Sequence, residues 1–191
     1  MMFDRRFALI APLMLAGCGL NSIPTAEETA KARWADVQNE YQRRADLVPN
    51  LVSTVKGYAK QESDVLIGVT NARAAATAVH VGPGDLTDPA KVRQYAAAQG
   101  ALTVSLQRLQ EAYPDLKSNA NFMALQSQLE GTENRITIAR RDYNGAVQAY
   151  NTRIRTFPDA IGAKVFYGAK PMATFEATTP NAGTAPKVDF N

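Results

Sequence analysis

From Thr25 to about Phe157 apolar residues recur at alternating steps of three and four, the period of an amphipathic helix. A first segment carries Trp34, Val37 and Tyr41, and a second carries Leu51, Val55, Tyr58, Val65 and Val69. The third shows Val92, Tyr95, Leu102, Leu106, Leu109 and Tyr113, with Gln99 in its one polar slot. In the fourth, Phe122, Leu129, Ile136, Tyr143, Tyr150 and Phe157 stand seven residues apart without a gap, the repeat of a bundle or coiled-coil seam. A helix of about 38 residues on this pattern is about 57 Å long. The pattern predicts an all-α fold: an elongated antiparallel four-helix bundle of long helices followed by an extended tail.

The breaks have their own chemistry. Gly82-Pro83-Gly84 interrupts the chain, and Asp88 then reads as an N-cap with Pro89 at the first helical position. Tyr113-Pro114-Asp115 ends the third helix, Ser118 or Asn119 caps the fourth, and Phe157-Pro158 closes it. Around Pro49 two arguments compete. The sevenfold spacing Trp34, Tyr41, Val48, Val55 runs through the proline in phase, as in one kinked rod. Yet in a rod Trp34, Val37 and Tyr41 would have nothing to pack on, at a cost of about 1.5–3 kcal/mol each. Asp46 as a cap with Pro49 in the first turn therefore predicts a reversal at Asp46–Asn50. After Pro158, residues 159–168 form a short amphipathic turn presenting Ile161, Val165 and Phe166, expected to cap the open end of the bundle, with an apolar foot on a membrane or partner as the alternative. Residues 168–191, with Pro171, Pro180 and Pro186, read as an extended, mobile tail.

Ahead of the helices, Arg5 and Arg6 precede an apolar run of about 11 residues, well short of the roughly 20 that span a bilayer. Leu15-Ala16-Gly17-Cys18 follows and resembles a bacterial lipobox, in which the thiol is acylated and cleavage leaves Cys18 first. The expected organisation is a signal at 1–17, a linker at 18–26 after a lipidated Cys18, a bundle at 27–167 and the tail at 168–191. Loss of Asp4, Arg5 and Arg6 with the signal lowers the net charge from +3 to +2, too little to argue for nucleic acid. With one cysteine in the chain no internal disulfide forms. Gly19 after Cys18 points to the outer membrane, facing the periplasm, in a cell with two membranes.

No catalytic constellation emerges, and no cofactor or metal is expected. His80 is the only histidine, so neither a His/Cys metal cluster nor a Cys-His dyad can be built. Glu130 and Glu133, beside Asn134 and Arg135, read as helix-surface pairing. Arg44 and Glu62 stand where the seams expect apolar side chains, and Asn134, Asn144 and Asn151 flank the seam of the fourth helix. These read as polar layers that set register and partner choice. The functional alternative is a binding surface at the expected turn, where Arg43, Arg44, Asp46 and Asn50 would meet at one end of the bundle.

Several runs resemble the LemA family: residues 32–37 (ARWADV), residues 42–52 (QRRADLVPNLV), residues 54–59 (TVKGYA), residues 132–136 (TENRI), residues 143–153 from Tyr143-Asn144 to Arg153, Phe157-Pro158, and the closing residues 186–190 (PKVDF). The resemblance implies a membrane-anchored helical bundle facing the extracytoplasmic space, with no established catalytic residues. Relatives of that family are associated with magnetosome membranes and with membrane proteins of the TPM-domain and zinc-metalloprotease types. Many of them start with a transmembrane helix, which a lipid on Cys18 replaces here. The reading that results is a non-enzymatic lipoprotein acting as an envelope scaffold or adaptor, with a homo-oligomer compatible. A binder of extracytoplasmic peptide or glycan is the alternative, and an envelope hydrolase a more distant one.

Overall fold

The computed structural model describes residues 21–58 and 64–176. Its long helices are α1 (Ser22–Tyr58), α2 (Asp64–Ala78), α3 (Pro89–Ala112) and α4 (Ala120–Arg153). A short α5 (Asp159–Gly162) runs into a wider turn of π type over Ala163–Tyr167. Cys18, Glu62 and the closing Pro186–Phe190 run lie outside the described residues. None of the described helices is long and apolar enough to cross a membrane.

The helix starts follow from capping. Asp88 accepts from the amides of Ala90 and Lys91 at the head of α3, ahead of Pro89. Asn119, rather than Ser118, accepts from Phe122 N at 3.0 Å to cap α4.

The chain does not reverse at Asp46–Asn50. α1 runs straight through Pro49 as one helix of 37 residues, and α2 folds back along its second half. A proline inside a helix leaves the carbonyl four residues earlier without its donor. That carbonyl belongs to Ala45, and the Arg73 Nε of the facing α2 donates to it at 2.7 Å. The packing concern is answered by three other pieces of chain. α4 lies antiparallel against most of α1, and the 80–89 loop closes over the aromatic end, where Trp34 Nε1 donates to Val81 O at 2.9 Å.

The third cover is the segment that follows Gly168. Gly168 ends the π turn in the left-handed region, φ 54°, which glycine adopts without strain. Residues 169–176 then run extended and antiparallel along α4, and they are held rather than mobile. Asn151 grips the backbone of Met172 with both ends of its amide, each bond 2.9 Å. Asn144 does the same to Phe175, at 2.9 and 2.8 Å. The spacing is matched: seven helical residues rise about 10.5 Å, and three extended residues about 10 Å. Asn144 and Asn151 thus receive this segment instead of forming layers between helices, and Asn134 is exposed. Phe175 enters a cluster with Trp34, Tyr41 and Tyr143, stacked on Trp34 at 5.4 Å.

The core is two clusters in line. One is aromatic, around Trp34, Tyr41, Tyr95, Tyr143 and Phe175, and the other aliphatic, around Leu51, Val55, Leu66, Leu102, Leu109 and Leu129. The sevenfold ladder of α4 is buried from Phe122 to Tyr150 and serves both. It stops there: α4 ends at Arg153 and Phe157 is 82% exposed. Residues 159–168 do not cap the open end with Ile161, Val165 and Phe166, which all face out; the small Gly162 and Ala163 make the contact with the bundle.

Candidate functional site

Between the two clusters lies a polar layer built on Arg44. Its guanidinium is 1% exposed, and it donates to Thr103 Oγ1 at 2.6 Å, Glu133 Oε1 at 2.7 Å, Gln99 O at 2.9 Å and Gln99 Oε1 at 2.8 Å. It also lies over the Tyr41 ring at 4.9 Å. Gln99 passes the link on, donating from Nε2 to Ala76 O of α2 at 3.1 Å. One buried side chain of α1 therefore ties α3 and α4 directly and α2 through Gln99. Such a layer holds register, because sliding any helix by a turn strands a buried donor or acceptor. Glu133 takes part in it and pairs inward with Arg44, not along the helix surface with Arg135.

Arg43, Asp46 and Asn50 point the other way. They do come together, though on the flank of α1 and not at an end of the bundle, and Arg44 is not with them. With Asp36, Glu40 and Leu47 of α1 they line one wall of an open groove of about 950 Å³. Arg135, Ile138 and Asp142 of α4 line the other. Its charges are mixed and partly paired within the fold. Arg43 Nε lies 3.8 Å from Glu40 Oε2, and Gln42 Nε2 donates to Asp46 Oδ1 at 2.7 Å. Asp36, Glu40, Arg135 and Asp142 are the residues missed beforehand. For Asp36 and Glu40 the signal was present: positions 36, 40, 43, 47 and 50 step by four and three along one face of a continuous helix. The expected reversal cut that face in two.

The aromatic cluster carries marked shifts in ionisation. Burial raises the hydroxyl pKa of Tyr41, Tyr95 and Tyr143 above the ordinary tyrosine value. Tyr143 donates its hydroxyl proton to Ala173 O at 2.8 Å and so also fastens the C-terminal segment. These are core tyrosines kept neutral, without the exposed geometry of an acid or base.

Long antiparallel helices locked by a buried polar layer, with open polar grooves on the flanks, define a helical-bundle protein whose groups of strongest interaction serve the fold itself. The chain belongs to the LemA family, whose model matches residues 33–190. It is similar to Protein LemA of Metamycoplasma hominis, 29% identical over 119 residues that cover 62% of this chain and 51% of the relative. Magnetosome proteins MamQ 1 and MamQ 2 of Paramagnetospirillum magneticum are each 26% identical over 172 residues, covering 79% of this chain and 61% of the relative. The chain thus spans about half to three-fifths of the length of these curated relatives.

Proposed function

We propose that this protein is a non-enzymatic envelope scaffold or adaptor, held to the membrane by a lipid on Cys18, whose bundle offers the α1–α4 groove to another envelope protein. The observation that carries the reading is the division of labour between neighbours on α1. Arg44 is spent inside the bundle, while Arg43, Asp46 and Asn50 remain at a polar groove open to solvent. The buried Arg44 gives its two terminal nitrogens to structural partners of the fold, with Nε left without one, which supports a structural and not a catalytic part for it. The similarity to LemA and to two magnetosome proteins supports a place at a membrane. By the family resemblance, a membrane protein of TPM-domain or protease type is the expected partner. The lipobox-like Leu15-Ala16-Gly17-Cys18 supports the anchor, and Gly19 an outer-membrane, periplasm-facing position.

The test is crosslinking in the cell from a photoreactive side chain at Asn50, with Gln107 of α3 as control, followed by mass spectrometry. A discrete envelope protein captured from Asn50 and not from Gln107 supports the adaptor. Capture only of diverse short peptides or glycans from Asn50 favours the competing binder, which the size of the groove, above the roughly 300 Å³ of small-ligand sites, keeps in play. The anchor has its own test. Cys18→Ala should abolish acylation and lipoprotein-type processing, and a variant processed and membrane-bound like wild type would overturn it.

A further inference from the structure

The turn after α4 presents apolar side chains to solvent in a way the bundle does not require. Phe157, Ile161, Val165, Phe166 and Tyr167 are between 45% and 82% exposed within eleven residues. Contiguous apolar surface of this kind on a folded chain marks a contact with something else.

Two further observations say with what. The first is position. Ser22 Oγ donates to Asp159 Oδ2 at 2.7 Å, which fixes the head of α1 beside the head of this turn. The four residues from Cys18 to Ser22 span at most about 14 Å. A lipid on Cys18, on which this inference rests, therefore enters its bilayer close to the exposed face. The second is charge. Arg155, Lys164 and Lys170 lie in the same stretch of chain, all exposed, while the only acidic residue from 152 to 175 is Asp159, already held by Ser22 and by Arg153 at 3.4 Å. Basic groups bordering apolar and aromatic side chains complement the anionic headgroups and acyl boundary of a membrane surface.

We infer that Phe157, Ile161, Val165 and Phe166 form a foot that inserts into the leaflet bearing the acyl anchor, with Arg155, Lys164 and Lys170 on its headgroups. Anchor and foot together stand the bundle on its aromatic end. Because Arg43 is 21 helical residues beyond Ser22, the groove then sits up to about 32 Å above the surface, and the aliphatic end points away.

The test uses the acylated protein reconstituted in vesicles of phosphatidylethanolamine and phosphatidylglycerol. Acylation consumes the only native thiol, so Val165→Cys carries an environment-sensitive fluorophore alone; Met123→Cys, exposed in the first turn of α4, carries it at the opposite end. The label at 165 should shift to the blue and be quenched by brominated acyl chains, and the label at 123 should do neither. Both labels reporting water overturns the foot. So does a label at 165 that is shielded in cells but wet on pure vesicles, which means a protein covers the face. If mass spectrometry finds Cys18 unacylated, the anchor fails separately. The foot is then judged by flotation of that protein with anionic vesicles, where Ile161→Ser/Val165→Ser/Phe166→Ser should cut binding at least several-fold and salt should weaken it. Equal flotation of both forms overturns the inference.

Discussion

Arg73 and Pro49 should be energetically coupled across the α1–α2 interface. A proline in a helix interior costs about 3 kcal/mol, part of it the lost hydrogen bond to the carbonyl four residues back. Here the Ala45 carbonyl regains a donor from Arg73 at 2.7 Å. A bond from a charged donor contributes about 1.5–3 kcal/mol, so Arg73→Ala should destabilise the wild-type chain by about that amount. Pro49→Ala restores a backbone N–H to the same carbonyl and should stabilise the protein by up to about 1.5 kcal/mol, the residue of the proline cost after the Arg73 bond has offset its share. With that N–H present the Arg73 bond becomes largely redundant. Arg73→Ala in the Pro49→Ala background should therefore cost less than about 0.5 kcal/mol, a coupling of at least about 1 kcal/mol. Urea unfolding of the acyl-free Cys18→Ser protein, followed by circular dichroism at 222 nm with unchanged m-values, measures all four corners. Additivity to within about 0.5 kcal/mol would refute the account and leave the tolerance of Pro49 without a cause.

Neighbouring arginines should differ sharply: Arg44→Ala should cost about 3–5 kcal/mol, since it leaves buried Gln99 acceptors and a void, whereas Arg43→Ala should stay within about 0.5 kcal/mol while weakening partner capture. The same unfolding assay decides it, and the reverse order would make the groove structural. Phe175→Ala should cost about 3–5 kcal/mol as a buried aromatic and open the chain beyond Gly168 to limited proteolysis, a site otherwise protected by the Asn144 and Asn151 clamps. Tyr150→Ala, on the buried ladder of α4, should lose a similar amount, visible as a clear fall in Tm. Since burial raises the pKa values of Tyr41, Tyr95 and Tyr143, the native state keeps protons that the unfolded chain releases above pH about 10. Their contribution to stability is complete below that pH and falls as pH rises beyond it, so these hydroxyls should ionise together with loss of helicity in a titration read by absorbance and circular dichroism.

Periodicity carried the all-α class, the buried ladder from Phe122 to Tyr150 and the seam of α3 with Gln99 in its polar slot, and capping chemistry gave Asp88 for α3 and a choice of Ser118 or Asn119 for α4, which the structure resolves to Asn119. These are legible because helical repeat and capping act between residues a few positions apart, so one strand of text contains both partners. Arg44 was visible as an exception to a seam, and its role as a layer was within reach, but not its partners. At Pro49, Trp34, Tyr41 and the segment after Gly168 the reading failed for one cause: the group that satisfied or covered the residue came from far along the chain. Pro49 reads as a break until Arg73 of another helix supplies the missing donor. Trp34 and Tyr41 read as bare on a long rod until residues 169–176 are laid across them, and those residues look like a polar tail until Asn144 and Asn151 take hold of their backbone. The outward face of the turn at Phe157–Tyr167 went the other way. Its periodicity suited a cap, but the bundle end needed only the small Gly162 and Ala163, and the large side chains were left to face whatever lies outside the fold. Local rules state which side of a helix is apolar; they do not state whether the neighbour that buries it belongs to the same chain.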